Sequence, residues 1–412
     1  MLLTNYTSDL KNYYNEIMHK RLEEESIPFW TYRGKKYVNK FQTIIDAQHD
    51  SFDKIRFNLF DKQFDIYDWS QYPDQTGEEL YLERLKQLKE KYNYIRLGYS
   101  NGTDSQTIVD VAIKHNIHID EFVVMYQKDD AYLQKTEISR IKKFINENQN
   151  KLKNTKITYI EFNINVFKFF LENILDRCGS TKIIDSPMNL DFYYKFGSKE
   201  VKNALWYPVE KGLTHCDLLG KEPPMIDKIN GQYYFYMPDR LVGHHLSPWS
   251  EWFFTSAEFP KLHSYQIHKN IEVMKKYNLK RNEYMFCTEQ QWKEMVKSTE
   301  RFYHSDAYAD KVRSGQRKTI LRISNYMHDT DFKNILTKSI IKYKNLNHIN
   351  VMFPRIAPMN HYSKFYSLEK IGGITDLKPL KSKRWELVKS KLKPEEETMY
   401  YSFKDYWNSV IN

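Results

Sequence analysis

Three features missing from this 412-residue chain exclude several classes of protein. Its three cysteines lie far apart and include no C-x-x-C pair, so they provide neither a zinc knuckle nor an iron–sulfur site. No run of about 18 apolar residues is present, so we expect no membrane span. The first twenty residues are polar and mixed in charge, unlike a secretory signal. These absences predict a cytoplasmic protein in a reducing compartment.

Several common catalytic motifs are missing as well. The chain has no Gly-x-x-x-x-Gly-Lys-Ser/Thr loop, no Gly-x-Gly-x-x-Gly and no His-Glu-x-x-His. What is present is an ordinary globular composition, with 41% hydrophobic and 28% charged residues. The net charge of +10 is modest for this length. It fits a solvated lysine surface, and it is also compatible with phosphate-rich partners from ATP to tRNA. Abundant Lys, Asn, Ile and Tyr suggest AT-rich coding, as in a virus such as a phage or in a low-GC bacterium.

The pattern along the chain divides it into three regions. Residues 1–77 predict a small α+β module, in which two short strands flank Arg33-Gly34 as a hairpin. Residues 78–226 alternate strands with helices, which predicts an α/β domain with a doubly wound parallel sheet. Residues 227–412 are expected to be mostly helical. The first helix of the α/β domain, residues 78–92, has leucines on one side, and we expect Arg84 on its solvated side.

One stretch carries the strongest chemical signal, Ser100-Asn101-Gly102-Thr103-Asp104-Ser105. It lies between a short strand, residues 94–99, and a helix beginning at Thr103. The amides of a first helical turn and the positive end of the helix dipole suit an anion. Asp104 would repel a bare phosphate, a conflict that a bound Mg²⁺ or a hydrogen bond to the loop amides would resolve. The alternative is an ordinary strand–helix turn with an N-cap.

The hexapeptide resembles the Ser-Gly-Gly-x-Asp-Ser signature of the PP-loop ATP pyrophosphatases. These adenine nucleotide alpha hydrolase-like enzymes include asparagine synthetase, tRNA-modifying ligases and sulfonucleotide reductases. Ser100, Gly102, Asp104 and Ser105 match the signature, Thr103 is at the variable position, and Asn101 replaces the first glycine. Asparagine tolerates positive φ better than most residues. The resemblance covers roughly residues 86–225.

The resemblance implies a function and a set of site residues. The loop would hold the β- and γ-phosphates of ATP, with Mg²⁺ directed by Asp104, while a substrate oxygen attacks the α-phosphate. Backbone groups near the end of the next strand would hold the adenine, which makes Met125 and Tyr126 the candidates there; the alternative for Met125 is an ordinary core residue. Lys221 could reach the triphosphate, and Glu222 could hold Mg²⁺ or an incoming amine, because both follow the strand predicted at residues 212–219.

Two features of the best-known relatives are not found. Residue 2 is Leu, so the N-terminal cysteine glutaminase of asparagine synthetase is not expected. The last cysteine is Cys287, so the cysteine-bearing tail of sulfonucleotide reductases is not expected either. Three hypotheses remain: an ATP-dependent adenylating enzyme with a small-molecule or tRNA acceptor, a sulfonucleotide reductase-like protein, and a non-catalytic ATP- or RNA-binding module.

Three further groups of residues have a structural as well as a functional interpretation. His263 and His268 lack a metal-ligand spacing and are expected to be structural or solvent histidines. Asp217, inside a predicted strand, is expected to be a structural or capping acid. The basic tract of residues 377–393 could contact RNA, but Glu395-Glu396-Glu397 follows it, so a charge-balanced surface is equally compatible.

Overall fold

The computed structural model describes residues 8–47, 49–50, 52–127, 137–173, 190–220, 224–239, 247–283, 286–304, 326–343, 363–380 and 409. The α-helices in these ranges are α1 Ser8–Glu23, α2 Lys40–Asp46, α3 Asp61–Phe64, α4 Gly77–Lys91, α5 Thr103–Lys114, α6 Ser139–Glu147, α7 Ile164–Asn173, α8 Leu190–Phe196, α9 Lys199–Glu210, α10 Pro260–Lys276, α11 Glu289–Ser298 and α12 Thr330–Tyr343. The strands are β1 Phe29–Tyr32, β2 Lys35–Tyr37, β3 Arg56–Asn58, β4 Tyr94–Gly98, β5 Glu121–Gln127, β6 Lys156–Phe162, β7 His215–Leu219, β8 Met225–Ile229, β9 Gln232–Tyr236, β10 Ser250–Trp252 and β11 Tyr366–Ser367. None of these helices is long and apolar enough to cross a membrane.

A five-stranded parallel sheet lies at the centre, in the order β10-β7-β4-β5-β6. Helices cover both of its faces. Successive side chains of a strand point to opposite faces of the sheet, so each face has its own apolar core. On one face, Phe122 and Val124 of β5 pack with apolar residues of α4 and α5. On the other face, Val123 packs with residues of α7 and α9. The predicted α/β class with a parallel sheet is confirmed.

The fifth strand comes from an unexpected part of the sequence. β10 pairs in parallel with β7, with Ser250 beside Asp217 and Trp252 beside Leu219. It lies beyond residue 226, in the region that we expected to be mostly helical. Two antiparallel sheets complete the described strands, in the orders β2-β1-β3 and β11-β9-β8. The central sheet therefore uses a segment outside the predicted 78–226 domain.

The amino-terminal hairpin folds as its sequence indicates. Tyr32 pairs with Lys35, which leaves Arg33 and Gly34 as a two-residue turn. Both have positive φ, 49° and 77°, the backbone required by the type I′ turn that matches the twist of paired strands. The aromatic core behind this sheet also includes residues of the C-terminal region, since Trp30 and Trp69 share it with Ile267 and Tyr366. The boundaries 1–77, 78–226 and 227–412 stay predictions.

Helix α4 corrects one expectation. Its N-terminus has the capping box in which Thr76 and Glu79 satisfy each other's backbone amides. Arg84, however, is fully buried rather than solvated. Its Nη2 donates to Glu251 Oε2 at 3.3 Å, so a carboxylate on β10 compensates its charge. The helical pattern predicted the apolar side correctly and was wrong about Arg84, because the partner lies 167 residues away.

Candidate functional site at the exit of strand β4

The Ser100–Ser105 loop leaves the sheet at the carboxyl end of its middle strand. The Tyr99 N–H donates to Val123 O at 2.9 Å, so the chain follows β5 for one residue past β4 before turning into α5. From β4 the chain proceeds to β5 on one side, and it later returns to form β7 on the other side. The crevice between β4 and β7 is thus the point where the strand order reverses. In parallel α/β sheets, ligands bind at such a point.

Most main-chain amides of the loop have no hydrogen-bond acceptor among the described residues. Ser100 N–H donates to Ser105 Oγ at 3.3 Å. In the part of the chain that the structure describes, the N–H groups of residues 101–105 donate no hydrogen bond to protein. Gly102 is the N-cap of α5, and no side chain caps the helix there. The unsatisfied donors of a first helical turn and the positive end of its dipole therefore coincide at this loop.

Asn101 has the backbone geometry that the sequence suggested. Its φ of 52° is in the left-handed region, where Gly and Asn are favoured. Its side chain has a second task, because Nδ2 donates to Tyr99 OH at 2.7 Å and to Gln106 Oε1 at 2.9 Å. Burial raises the pKa of Tyr99, so the phenol stays neutral in this network. Asn101 thus fixes the loop to the helix that follows it, which a glycine would not do.

The hydroxyl groups of the loop are only partly committed. Ser100 Oγ and Ser105 Oγ lie 3.3 Å apart, and Ser105 Oγ also lies 3.4 Å from Gly102 O. Ser105 is buried, whereas the side chain of Thr103 is partly exposed. Each of the two serine hydroxyls has one donor proton, which can turn toward an anion when it leaves its long contact within the loop. The loop can therefore present both main-chain and side-chain donors.

Asp104 has a partner that the sequence analysis did not find. Arg301 Nη1 donates to Asp104 Oδ1 at 2.7 Å, and the side chains are 7% and 14% exposed, respectively. Arg301 follows α11 in the chain and is 197 residues from Asp104. No local pattern reveals such a pair, since each residue alone reads as an ordinary surface charge. The carboxylate that we assigned to Mg²⁺ already contacts a guanidinium.

The end of β7 closes the other side of the crevice. Gly220 lies so close to α5 that a Cβ atom there would be 3.0 Å from the Ser105 amide nitrogen and 3.1 Å from Asp104 Cβ. Gly220, the residue after β7, therefore lies directly against the first turn of α5. Lys221 and Glu222, the two candidates that follow, lie outside the described residues, as do residues 381–393 of the basic tract. Their assignment stays a prediction.

Strand β5 continues past the end of β4. Gly98 and Val123 are the last paired residues of these strands, while Met125 pairs only with Ile160 of β6. Val123 O points toward β4, where it accepts from the Tyr99 N–H. Main-chain groups two residues apart in a strand point to the same side, so those of Met125 point into the space beyond the end of β4. The side chains of Met125 and Tyr126 pack on opposite faces of the sheet. The main chain at Met125, rather than both side chains, thus borders the crevice.

Two other predicted roles can be compared with the structure. Asp217 is buried, accepts from Arg96 Nη1 at 3.1 Å and from Ser247 Oγ at 2.8 Å, and is a structural acid as expected. His263 is buried beside Phe64 with ring centroids 5.4 Å apart, and His268 Nε2 contacts Trp69 O at 2.9 Å. Among the described residues, no group of three or more His, Cys, Asp or Glu side chains could hold a metal ion.

Comparison with known proteins adds no assignment. No protein-family model matches the chain, and no curated protein matches it.

Proposed function

We propose that this protein is an ATP-dependent adenylating enzyme of the PP-loop type, converting ATP to AMP and pyrophosphate. The observation that carries the proposal is the set of free main-chain amides at residues 101–105, located at the point of strand reversal of a parallel sheet. A doubly wound, adenine nucleotide alpha hydrolase-like fold is part of the same proposal. It is supported by the central parallel sheet with helices on both faces.

The residues of the loop would share the work of binding the phosphate tail. The amides of Asn101, Gly102, Thr103 and Ser105 would hold the β- and γ-phosphates, with the hydroxyls of Ser100 and Ser105 as further donors. The main chain at Met125 would contact the adenine, with Tyr126 beside it. Catalysis would come mainly from positioning and from fixed dipoles near the leaving pyrophosphate. A carboxylate or carbonyl oxygen of the acceptor would attack the α-phosphate, and a nitrogen or sulfur nucleophile would then complete the amidation- or thiolation-type transfer.

Mg²⁺ fits this site only in part. Nucleotide-bound Mg²⁺ usually takes one or two protein carboxylates, together with phosphate oxygens and water. Asp104 is the carboxylate at the loop, and its Oδ1 is bound to Arg301. Bound Mg²⁺ would neutralise charge on the leaving pyrophosphate, and Glu222 after β7 would hold it together with Oδ2 of Asp104, the oxygen that Arg301 does not contact. Lys221 would contact the phosphates from the same segment.

The acceptor class is chosen from chemistry alone. A small carboxylate or carbonyl compound and a tRNA both suit an adenylating enzyme, and a basic chain accommodates either. A cytoplasmic location suits a reaction that consumes ATP. It also suits the two described cysteines, Cys216 and Cys287, which are buried free thiols.

The decisive experiment is isotope exchange of labelled pyrophosphate into ATP, screened across amino acids and tRNA with Mg²⁺. We expect exchange with at least one acceptor, and we expect Ser105→Ala to reduce it. Ser70→Ala is the matched control, since Ser70 is exposed and its hydroxyl donates a hydrogen bond to Asp68, away from the loop. Failure of the wild-type protein to bind ATP in calorimetry would overturn the proposal. ATP binding without turnover, with Asp104→Ala causing no further change, would indicate a non-catalytic nucleotide- or RNA-binding module.

One observation favours a second candidate, a sulfonucleotide reductase-like protein that binds phosphoadenosine phosphosulfate. The free amides of residues 101–105 would bind its phosphosulfate group in the same way as a polyphosphate. Against reductase chemistry, Cys216 and Cys287 are both buried, whereas a reactive thiolate needs access to its substrate. Thermal shifts with ATP and with the sulfonucleotide distinguish the two candidates, since each predicts the larger shift with its own ligand.

A further inference from the structure

The Arg301–Asp104 pair lies at the first turn of α5. Asp104 is in the first turn of α5, beside the free amides of residues 101–105. A carboxylate there is attracted by the positive end of the helix dipole but repels a second anion. Like charges a few ångströms apart repel strongly when they are partly buried. Arg301 Nη1 lies 2.7 Å from Asp104 Oδ1, close enough for a charge-assisted hydrogen bond. The pair therefore removes the net negative charge from the loop.

The Arg301 side chain is held in place before any ligand arrives. Its Nε donates to Thr299 Oγ1 at 2.9 Å, and Thr299 is fully buried. The carbonyl of Thr299 in turn accepts a hydrogen bond from the Tyr81 hydroxyl on α4. On the other side, the Phe302 N–H donates to Thr107 Oγ1 on α5 at 2.8 Å. Residues 299–302 are thus anchored to both α4 and α5, so the guanidinium needs no reorganisation to meet Asp104.

We propose that Arg301 is a positioning residue that neutralises and fixes Asp104 so that the amides of residues 101–105 accept a polyphosphate. This inference rests on the proposed function, because it concerns the same loop. It assigns to the C-terminal region a part in nucleotide binding that the hexapeptide alone does not provide. In this arrangement Arg301 acts through Asp104 and does not itself contact the phosphates.

The test is a double-mutant cycle in the full-length protein. Binding of ATP and of inorganic tripolyphosphate is measured by calorimetry for wild type, Arg301→Gln, Asp104→Asn and the double variant, each with and without Mg²⁺. We expect Arg301→Gln to weaken Mg²⁺-free binding at least about tenfold, because the Asp104 charge is then uncompensated. We expect Asp104→Asn to bind as well as wild type or more tightly. The double variant should return to within about threefold of wild type.

A structural role for Arg301 alone would not give that rescue. If the double variant binds as weakly as Arg301→Gln, Arg301 acts on the ligand or on folding, and the proposal is overturned. Lys297→Gln is the matched control, since it removes one positive charge from an exposed position in the last turn of α11. Adding Mg²⁺ should restore part of the binding of Arg301→Gln, because the freed carboxylate can then hold the cation.

The outcomes separate this inference from the function on which it rests. Wild-type protein that binds neither ATP nor tripolyphosphate overturns both. Wild-type binding that Arg301→Gln leaves unchanged overturns only the role of Arg301. If Arg301→Gln fails to fold, Asp104→Asn still tests the inference. Weaker binding of tripolyphosphate by Asp104→Asn without Mg²⁺ would show that Arg301 does not act by neutralising Asp104.

Discussion

Gly220 and Ser105 approach so closely that a Cβ atom on Gly220 would lie 3.0 Å from the Ser105 amide nitrogen. This contact joins the end of β7 to the first turn of α5, the two walls of the crevice. Two of the three nearest atoms belong to the helix backbone and the third is Asp104 Cβ, which is fixed to it, so none can move aside as the end of a flexible side chain would. A methyl group at position 220 would therefore both strain the crevice and cover one of its free amides.

We expect Gly220→Ala to weaken ATP binding by about tenfold, equivalent to about 1.4 kcal/mol. Overpacking should also lower the free energy of unfolding by about 1–3 kcal/mol. Gly212→Ala is the matched control, since its φ of 65° strains any side chain while nothing lies within 4 Å. Calorimetry with ATP and urea unfolding measure the two effects. Equal ATP affinity in both variants would contradict a nucleotide site in this crevice.

A second prediction concerns Asn101, which has positive φ and two buried hydrogen bonds. Asn101→Gly keeps the backbone conformation but removes those bonds, so we expect a loss of about 1–3 kcal/mol in the free energy of unfolding. Asn101→Ala adds left-handed strain of about 1–2 kcal/mol. The free energy of unfolding in urea should therefore be highest for wild type, lower for Asn101→Gly and lowest for Asn101→Ala.

Asn116 provides the control for this series. It also has positive φ, 55°, but its side chain is exposed and makes no hydrogen bond within the described residues. Asn116→Gly should leave stability within about 0.5 kcal/mol of wild type. A similar loss at both positions would show that the backbone conformation, and not the side-chain network, accounts for the effect at Asn101.

The third prediction is acid sensitivity from two buried histidines. Burial lowers the pKa of His263 to about 3, and burial lowers that of His215 to about 4. In the unfolded chain both titrate near pH 6.5, so below that pH the unfolded state binds protons that the folded state does not. Each histidine thus contributes stability that is complete above about pH 6.5 and is lost as pH falls toward the folded pKa, by up to about 1.4 kcal/mol per pH unit.

Urea unfolding between pH 8 and pH 5 measures that slope. Asp61 has the opposite effect on stability. Burial raises its pKa to about 6, so as pH falls the folded state takes up this proton before the unfolded state does and gains stability. His263→Gln should lower stability at pH 8 through lost stacking on Phe64, yet flatten the dependence between pH 6.5 and pH 5. His19→Gln, at an exposed position, should leave the slope unchanged. An unaltered slope in His263→Gln would show that His263 is not a source of the acid sensitivity.

The fourth prediction compares two glutamates that approach the same arginine. Glu251 is buried and lies 3.3 Å from Arg84, whereas Glu258 is 42% exposed and lies 3.9 Å from it. Removing the buried carboxylate leaves Arg84 uncompensated and also takes a partner from Arg21 and Lys91, so Glu251→Gln should cost about 3–5 kcal/mol. Glu258→Gln should cost less than about 1 kcal/mol. Thermal and urea unfolding provide the comparison, and equal costs would contradict the assignment of Glu251 as the main partner of Arg84.

Much of the local structure could be predicted because its causes are local. The turn at Arg33-Gly34 and the capping box of Thr76 and Glu79 each depend on residues within three positions of one another. The strand–helix order between residues 94 and 219 follows from apolar spacing in the same way. The short β10 was not predicted, because three residues carry too little pattern to indicate a parallel strand.

The sequence by itself determined the parallel sheet, the helix after it and a loop able to point amides at an anion, because spacing and backbone preferences act over a few residues. Only the tertiary structure decided which strands adjoin β4, and so where the crevice opens. It alone brought Arg301 to Asp104 across 197 residues and Glu251 to Arg84 across 167. Such pairs form when packing brings distant segments together, and charge alone does not specify which of the many acids a given arginine meets.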